Sequence, residues 1–183
     1  MKKIILVCIL VLALVVVGCE SDTEYTPPSK VESAPNEETK AEIQIFKIGD
    51  TATDNELKVT VNSVKFVSKI DEKDNQFLVA EAPSGKEYAI VDITVENVLS
   101  NQTQSVITLV GNTVTVTDQD GYNYDLDFKG LTALDKSFSD GGILPTMKKR
   151  GELIYLVPSD ATDLKFIYKF DLFVGTSAVF DIK

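Results

Sequence analysis

The sequence predicts an all-β domain over residues 45–183, built as two antiparallel sheets packed face to face. Three observations predict it. Apolar residues recur with period two in one short stretch after another. Turn signals separate those stretches. No stretch after residue 45 keeps a helical period. A sheet with one apolar face must bury it, and a second sheet of the same kind supplies the partner.

The elements follow in order. In "ELKVTVNSVKFV", Leu57, Val59 and Val61 share one face, and Lys58 and Thr60 take the other. The phase slips at Asn62-Ser63, after which Val64 and Phe66 are the apolar positions, so a β-bulge there returns both halves to one core. "EYAIVDITVENV" aligns Ala89, Val91, Ile93 and Val95, and "TVTVTD" turns Val114 and Val116 inward. "YNYDLDF" reads as a strand with Tyr122, Tyr124, Leu126 and Phe128 on its inner face. A short helix or turn fits "LTALDKSF". "GELIYLVP" offers Leu153, Tyr155 and Val157; "LKFIYKFDLF" offers Leu164, Phe166, Tyr168 and Phe170; "SAVFDI" closes with Ala178, Phe180 and Ile182. The tyrosines at 122, 124, 155 and 168 are read as core rings with their hydroxyls at a rim; a carbohydrate platform is the sharper alternative.

The N-terminal region has a different character. Lys2 and Lys3 precede an unbroken apolar run from Ile4 to Val17. That run is short of the roughly 20 residues a membrane-spanning helix needs, and its flanks are those of an export signal. Val16-Val17-Gly18-Cys19 resembles a lipobox, in which the Cys thiol accepts a diacylglycerol. Residues 1–18 are therefore expected to be a signal peptide and Cys19 the lipid-modified N-terminus of an exported protein held at the cell membrane. Residues 19–44 then form the lipidated Cys and a spacer rich in Glu, Ser, Thr and Pro, which cannot bury enough apolar surface to fold and so reads as a disordered tether.

Composition excludes several classes. The net charge is −10, and −12 once the signal is removed, which argues against nucleic acid and anionic lipid as partners. Cys8 falls in the signal and Cys19 is the lipid site, so the domain has neither a disulfide nor a thiolate metal site. Histidine is absent, which removes the commonest general base and metal ligand. No cofactor-binding fingerprint, nucleophile elbow or phosphate loop occurs.

Four stretches resemble a known family. "IGDTATDNELKVTVNSVKF", "KEYAIVDITVENVLSNQTQSV", the Asp-Gly hairpin "VTVTDQDGYNY" and "ILPTMKKRGELIYLVPSDATDLKFIY" occur in the order of a telokin-like, immunoglobulin-like lipoprotein family of unknown function. The resemblance covers roughly residues 47–183. It implies an exported immunoglobulin-like β-sandwich, with the immunoprotective extracellular antigens as structural relatives, and no catalytic residues. Lys148-Lys149-Arg150 departs from it, standing where an acidic or polar turn is expected.

The candidate sites are few. Asp118, Asp120, Asp125 and Asp127 in "DQDGYNYDLD" could give oxygen ligands to a cation, but the spacing fails an EF-hand at Tyr122, Asn123 and Lys129. The competing reading is a tight hairpin at Asp120-Gly121. A second acidic loop lies at 71–75. Lys148, Lys149 and Arg150 form a basic cluster on a turn before a strand, suited to an anion or partner patch or to edge protection. Asn101-Gln102-Thr103 is an acceptor sequon for glycosylation.

The functional expectation is a non-enzymatic binding module. It is held to the membrane through Cys19 and engages an envelope or extracellular protein. A cation- or small-ligand-binding accessory lipoprotein using Asp118 and Asp120 is the alternative, and a carboxylate hydrolase ranks third.

Overall fold

The computed structural model describes residues 44–71, 78–100, 106–108, 110–170 and 176–183. Residues 1–43, with the expected signal, Cys19 and most of the expected spacer, lie outside the described residues, as do Asn101 and most of the 71–75 loop.

The elements are β1 (Ile45–Lys47), β2 (Thr51–Thr53), β3 (Leu57–Val67), β4 (Lys69–Ile70), β5 (Ala80–Glu81), β6 (Lys86–Asn97), β7 (Val106–Thr108), α1 (Val110–Thr113), β8 (Val114–Thr117), β9 (Asn123–Tyr124), α2 (Phe128–Ala133), β10 (Gly141–Ile143), β11 (Lys148–Pro158), β12 (Lys165–Lys169) and β13 (Ser177–Asp181). Two sheets form an immunoglobulin-like sandwich. One has the order β11-β6-β3-β2 and the other β1-β13-β12-β8-β9. All pairings are antiparallel except β1 with β13, which is parallel. The minor sheets are the pairs β10-β7 and β4-β5.

The period-two residues meet between the sheets. Val59, Val61, Val91, Ile93, Leu153 and Val157 come from one side, and Val114, Val116, Phe166, Tyr168 and Phe180 from the other. An aromatic chain joins the layers: Tyr155 meets Phe166 edge-on at 6.2 Å, Phe166 lies 6.2 Å from Phe180, and Phe180 lies 5.4 Å from Phe46. Such pairs add to burial through ring electrostatics. They pin a core that has no cysteine to pin it.

The bulge falls where the phase slips. Val61 pairs with Ile93 and Ser63 with Asp92, leaving Asn62 as the extra residue. Val64 and Phe66 pack on the core, as the pattern requires.

Residues 122–128 depart from the expected strand. Only Asn123–Tyr124 pairs with β8, and Leu126 makes an isolated bridge to Tyr155. Asp127 then accepts the amide of Gly130 and starts α2 at Phe128, ahead of the expected position. Helical turning swings Phe128 outward, where it is 69% exposed, and Tyr122 is 67% exposed on the hairpin. Neither is a core residue. Tyr155 and Tyr168 are core, and the Tyr155 hydroxyl is not at a rim. The Tyr155 hydroxyl is fully buried without a hydrogen-bond partner among the described residues, and burial pushes both phenols up.

Candidate functional site

The outer face of the four-stranded sheet is divided in two. Cross-strand register fixes its rows of side chains. Val67, Tyr88 and Leu156 make one row, and Lys65, Ile90 and Ile154 the next. Their apolar members are covered by a second small core that includes Ile70 of β4, Ala80 of β5, and Ala133 and Leu134 at the end of α2. The three remaining rows are polar. They are Ser63–Asp92–Glu152, Thr51–Thr60–Thr94–Arg150 and Thr53–Lys58–Glu96–Lys148. The small core does not extend over them.

The boundary between the halves is organised by Asp92. Arg150 donates to it through Nε to Oδ1 at 3.0 Å and through Nη2 to Oδ2 at 2.6 Å, a two-pronged geometry that fixes both groups. Asn62 is turned outward by the bulge. Its Nδ2 donates to Asp92 Oδ1 at 3.1 Å and to Thr94 Oγ1 at 3.0 Å. Burial pushes the Asp92 carboxyl up, but the hydrogen bonds from Arg150 and Asn62 outweigh it and hold the group below its usual range. Two rows from Asp92, Lys148 pairs with Glu96 at 3.0 Å.

Two depressions occupy this open half. One, of about 510 Å³, lies at the foot of the roof and is lined by Ser63, Lys65, Asp92, Arg150, Glu152 and, from the segment after α2, Lys136. The other, of about 440 Å³, lies among four threonines with Lys58, Glu96 and Lys148. Together they carry five bases and three acids in a chain whose net charge is −10. The arrangement suits polar recognition: fixed charges, hydroxyls, and a wall on one side.

The basic cluster is a strand segment and not a turn. Lys148 and Arg150 point to the outer face and are paired with Glu96 and Asp92. Lys149 points the other way. Its Nζ donates to the carbonyls of Ser139 and Asp140 at 2.9 and 3.2 Å and lies 5.7 Å from the Phe138 ring. Strand alternation splits the three charges, so they do not act as one patch.

The Asp118 carboxylate serves its own hairpin. Oδ1 accepts the amides of Asp120 and Tyr122, both at 3.0 Å, and Oδ2 accepts the Tyr124 hydroxyl at 2.6 Å. That hydroxyl, followed by the backbone amides, holds the carboxyl below its usual range. Gly121, at φ 82°, supplies the left-handed turn. Asp118 and Asp120 line an open cleft with Tyr122, Tyr124 and Asp160, but Asp125 is not part of it. Among the described residues no three acidic side chains converge to hold a metal ion.

Sequence reasoning passed over Asn62, Asp92, Thr94 and Lys136. Asn62 had a signal, because a polar residue at a phase slip is turned out of the pleat. Asp92 and Arg150 lie 58 residues apart, and only cross-strand register brings them together.

Solved structures with the same architecture include the YjhA protein from Bacillus subtilis, with 16% identity over 76% of this chain and 100% of that one at a TM-score of 0.55. The secreted protein MPT63 from Mycobacterium tuberculosis matches 77% of this chain and 98% of its own, with 15% identity and a TM-score of 0.54. A candidate lipoprotein (ycdA) from Bacillus subtilis subsp. subtilis str. 168 matches 73% of this chain and 38% of its own, with 12% identity and a TM-score of 0.52. At these identities the likeness is one of fold. No curated protein is significantly similar in sequence. A family model matches residues 46–179, which takes in both sheets and the divided face, and the chain therefore belongs to the family described as Domain of unknown function (DUF4352).

Proposed function

We propose that the chain is an exported, lipid-anchored binding module without catalytic activity. Cys19 carries the lipid, the acidic spacer sets the domain off the membrane, and the open half of the four-stranded sheet engages another protein of the envelope. A secreted protein and a candidate lipoprotein among proteins of this fold support the extracytoplasmic setting. The lipobox at Val16–Cys19 supports the anchor. One observation carries the binding role: the fold roofs the apolar half of one sheet face and leaves beside it an ordered polar half containing two depressions. Tethering to a membrane raises the local concentration of such a module near its partners, so a modest surface suffices.

The test uses a photo-crosslinking side chain at Thr94, in the centre of the open half, and at Ile167, on the outer face of the other sheet. A discrete protein adduct from Thr94 and none from Ile167 is expected in intact cells. The same adducts from both positions, or none from Thr94, would overturn the reading. Incorporation of labelled palmitate, lost in Cys19→Ser, tests the anchor.

A further inference from the structure

Charge on the open half is not balanced. Glu96 is taken by Lys148 and Asp92 by Arg150. Lys58, Lys65 and Lys136 form no ion pair among the described residues. Lys58 and Lys65 both stand on the outer face of β3, seven residues apart. At about 3.3 Å per residue they lie roughly 20 Å from one another, too far for a single small anion to bridge. Lys136 extends the positive strip across the depression to β11.

The edge of β3 adds a second, independent feature. β2 pairs with β3 only from Lys58 to Thr60, and Gly49 donates to the Val61 carbonyl. From Ser63 to Val67 no described strand pairs with β3 on the side away from β6. Free backbone donors and acceptors on an edge are a template for another strand. The exposed Lys65 on this edge repels the same edge of a second copy, which protects against self-association. The same charge attracts a strand that carries acids. A polypeptide can use such an edge, whereas a phosphate polymer or a lipid headgroup cannot.

We infer that the partner presents an extended acidic polypeptide segment, which adds along the Ser63–Val67 edge of β3 and sets a carboxylate against Lys65. The inference rests on the reading of this face as the binding surface. Strand addition supplies affinity through the backbone, and alternate side chains supply selectivity.

The experiment titrates the full chain, in detergent micelles and labelled with ¹⁵N, with a decapeptide of alternating Glu and Thr. Amide shifts concentrated at Ser63–Val67 are expected, with binding that weakens as salt is raised. The reversal Lys65→Glu changes only an exposed side chain, so the fold is retained. It should weaken binding by about tenfold or more, as reversed charges at a complementary surface do. A peptide N-methylated at alternate amides should not bind. Unchanged affinity in Lys65→Glu, or full binding by the methylated peptide, overturns the inference. So does binding of polyphosphate or of anionic vesicles in place of the peptide. A Thr94 crosslink that persists while the acidic peptide fails to bind would retain the binding face and remove only the acidic partner.

Discussion

Gly151 lies against the backbone of Phe138 so closely that a Cβ on it would sit 2.5 Å from the Phe138 Cα and 2.7 Å from its nitrogen. The contact is held by two backbone hydrogen bonds, from the Phe138 amide to the Glu152 carbonyl at 2.9 Å and from the Glu152 amide to the Lys136 carbonyl at 2.7 Å. It docks the segment after α2 onto β11. That segment carries Lys136, the wall of the larger depression.

Gly151→Ala should therefore be costly although the residue sits in a regular strand. Backbone cannot yield as a flexible side chain can, so the segment must lift and its two hydrogen bonds lengthen. A loss of about 2–4 kcal/mol is expected, the range for overpacking combined with lost buried hydrogen bonds. Urea denaturation measures it. A change below about 0.5 kcal/mol, the level of a neutral surface substitution, would show that the approach is loose.

Asn97 should prove as sensitive at the other end of the sheet. It is fully buried, donates through Nδ2 to the Ile143 carbonyl at 2.8 Å, and accepts the Leu99 amide at 2.9 Å. Its backbone also exchanges hydrogen bonds with Thr146 and Met147. Asn97→Ala leaves one buried carbonyl and one amide unpaired, at a cost of about 2–3 kcal/mol. Asn97→Asp should cost at least as much, because the carboxylate cannot donate to the carbonyl of Ile143. Thermal melts of the two variants provide the comparison.

These positions show what a sequence exposes and what it hides. The inner faces of β3, β6, β11, β12 and β13 were legible because side-chain alternation encodes burial directly. The bulge was legible because Asn62 breaks that alternation. The roof was not. Tyr88, Ile90, Ile154 and Leu156 are apolar on the outward side of their strands, yet a period-two reading assigns them to solvent. The covering helix α2 has six residues, too few to display a helical period. The Asp92–Arg150 pair depended on the β6–β11 register, which no local pattern states. The basic triplet was misread because a strand sends neighbouring side chains to opposite faces, so adjacency in sequence became separation in space.

Asp92 should give the open face a measurable acid sensitivity. Its folded-state pKa is depressed, so its contribution is present above the unfolded value of about 3.9 and is lost as pH falls through the folded value. Arg150 is largely exposed, which screens the pair. Asp92→Asn should then cost only about 1 kcal/mol at neutral pH. The difference between wild type and variant should shrink as pH drops below about 4. Urea melts at neutral and acidic pH test this. A difference that does not change with pH would mean that the carboxylate's charge contributes nothing to the fold.

Tyr124 should set an alkaline limit at the β8–β9 hairpin. Its hydroxyl donates to Asp118 Oδ2 at 2.6 Å, and burial, then that hydrogen bond, push its pKa up to about 12. A phenol raised above its unfolded value of about 10 stabilises the fold fully below that value. The stabilisation is lost as pH rises through the folded value, because the phenolate can no longer donate and is repelled by Asp118. The melting temperature should therefore fall across this window, and Tyr124→Phe should fall less steeply from a lower starting point. The same variant should let the Asp118 carboxyl move back up toward its ordinary range, since the Tyr124 hydroxyl is the main group holding it down. Near-ultraviolet absorbance follows the phenolate, and carboxyl carbon shifts follow Asp118. If the Asp118 titration is unchanged in Tyr124→Phe, the pair does not couple, and the Asp118 carboxylate is held by the backbone amides of the turn alone.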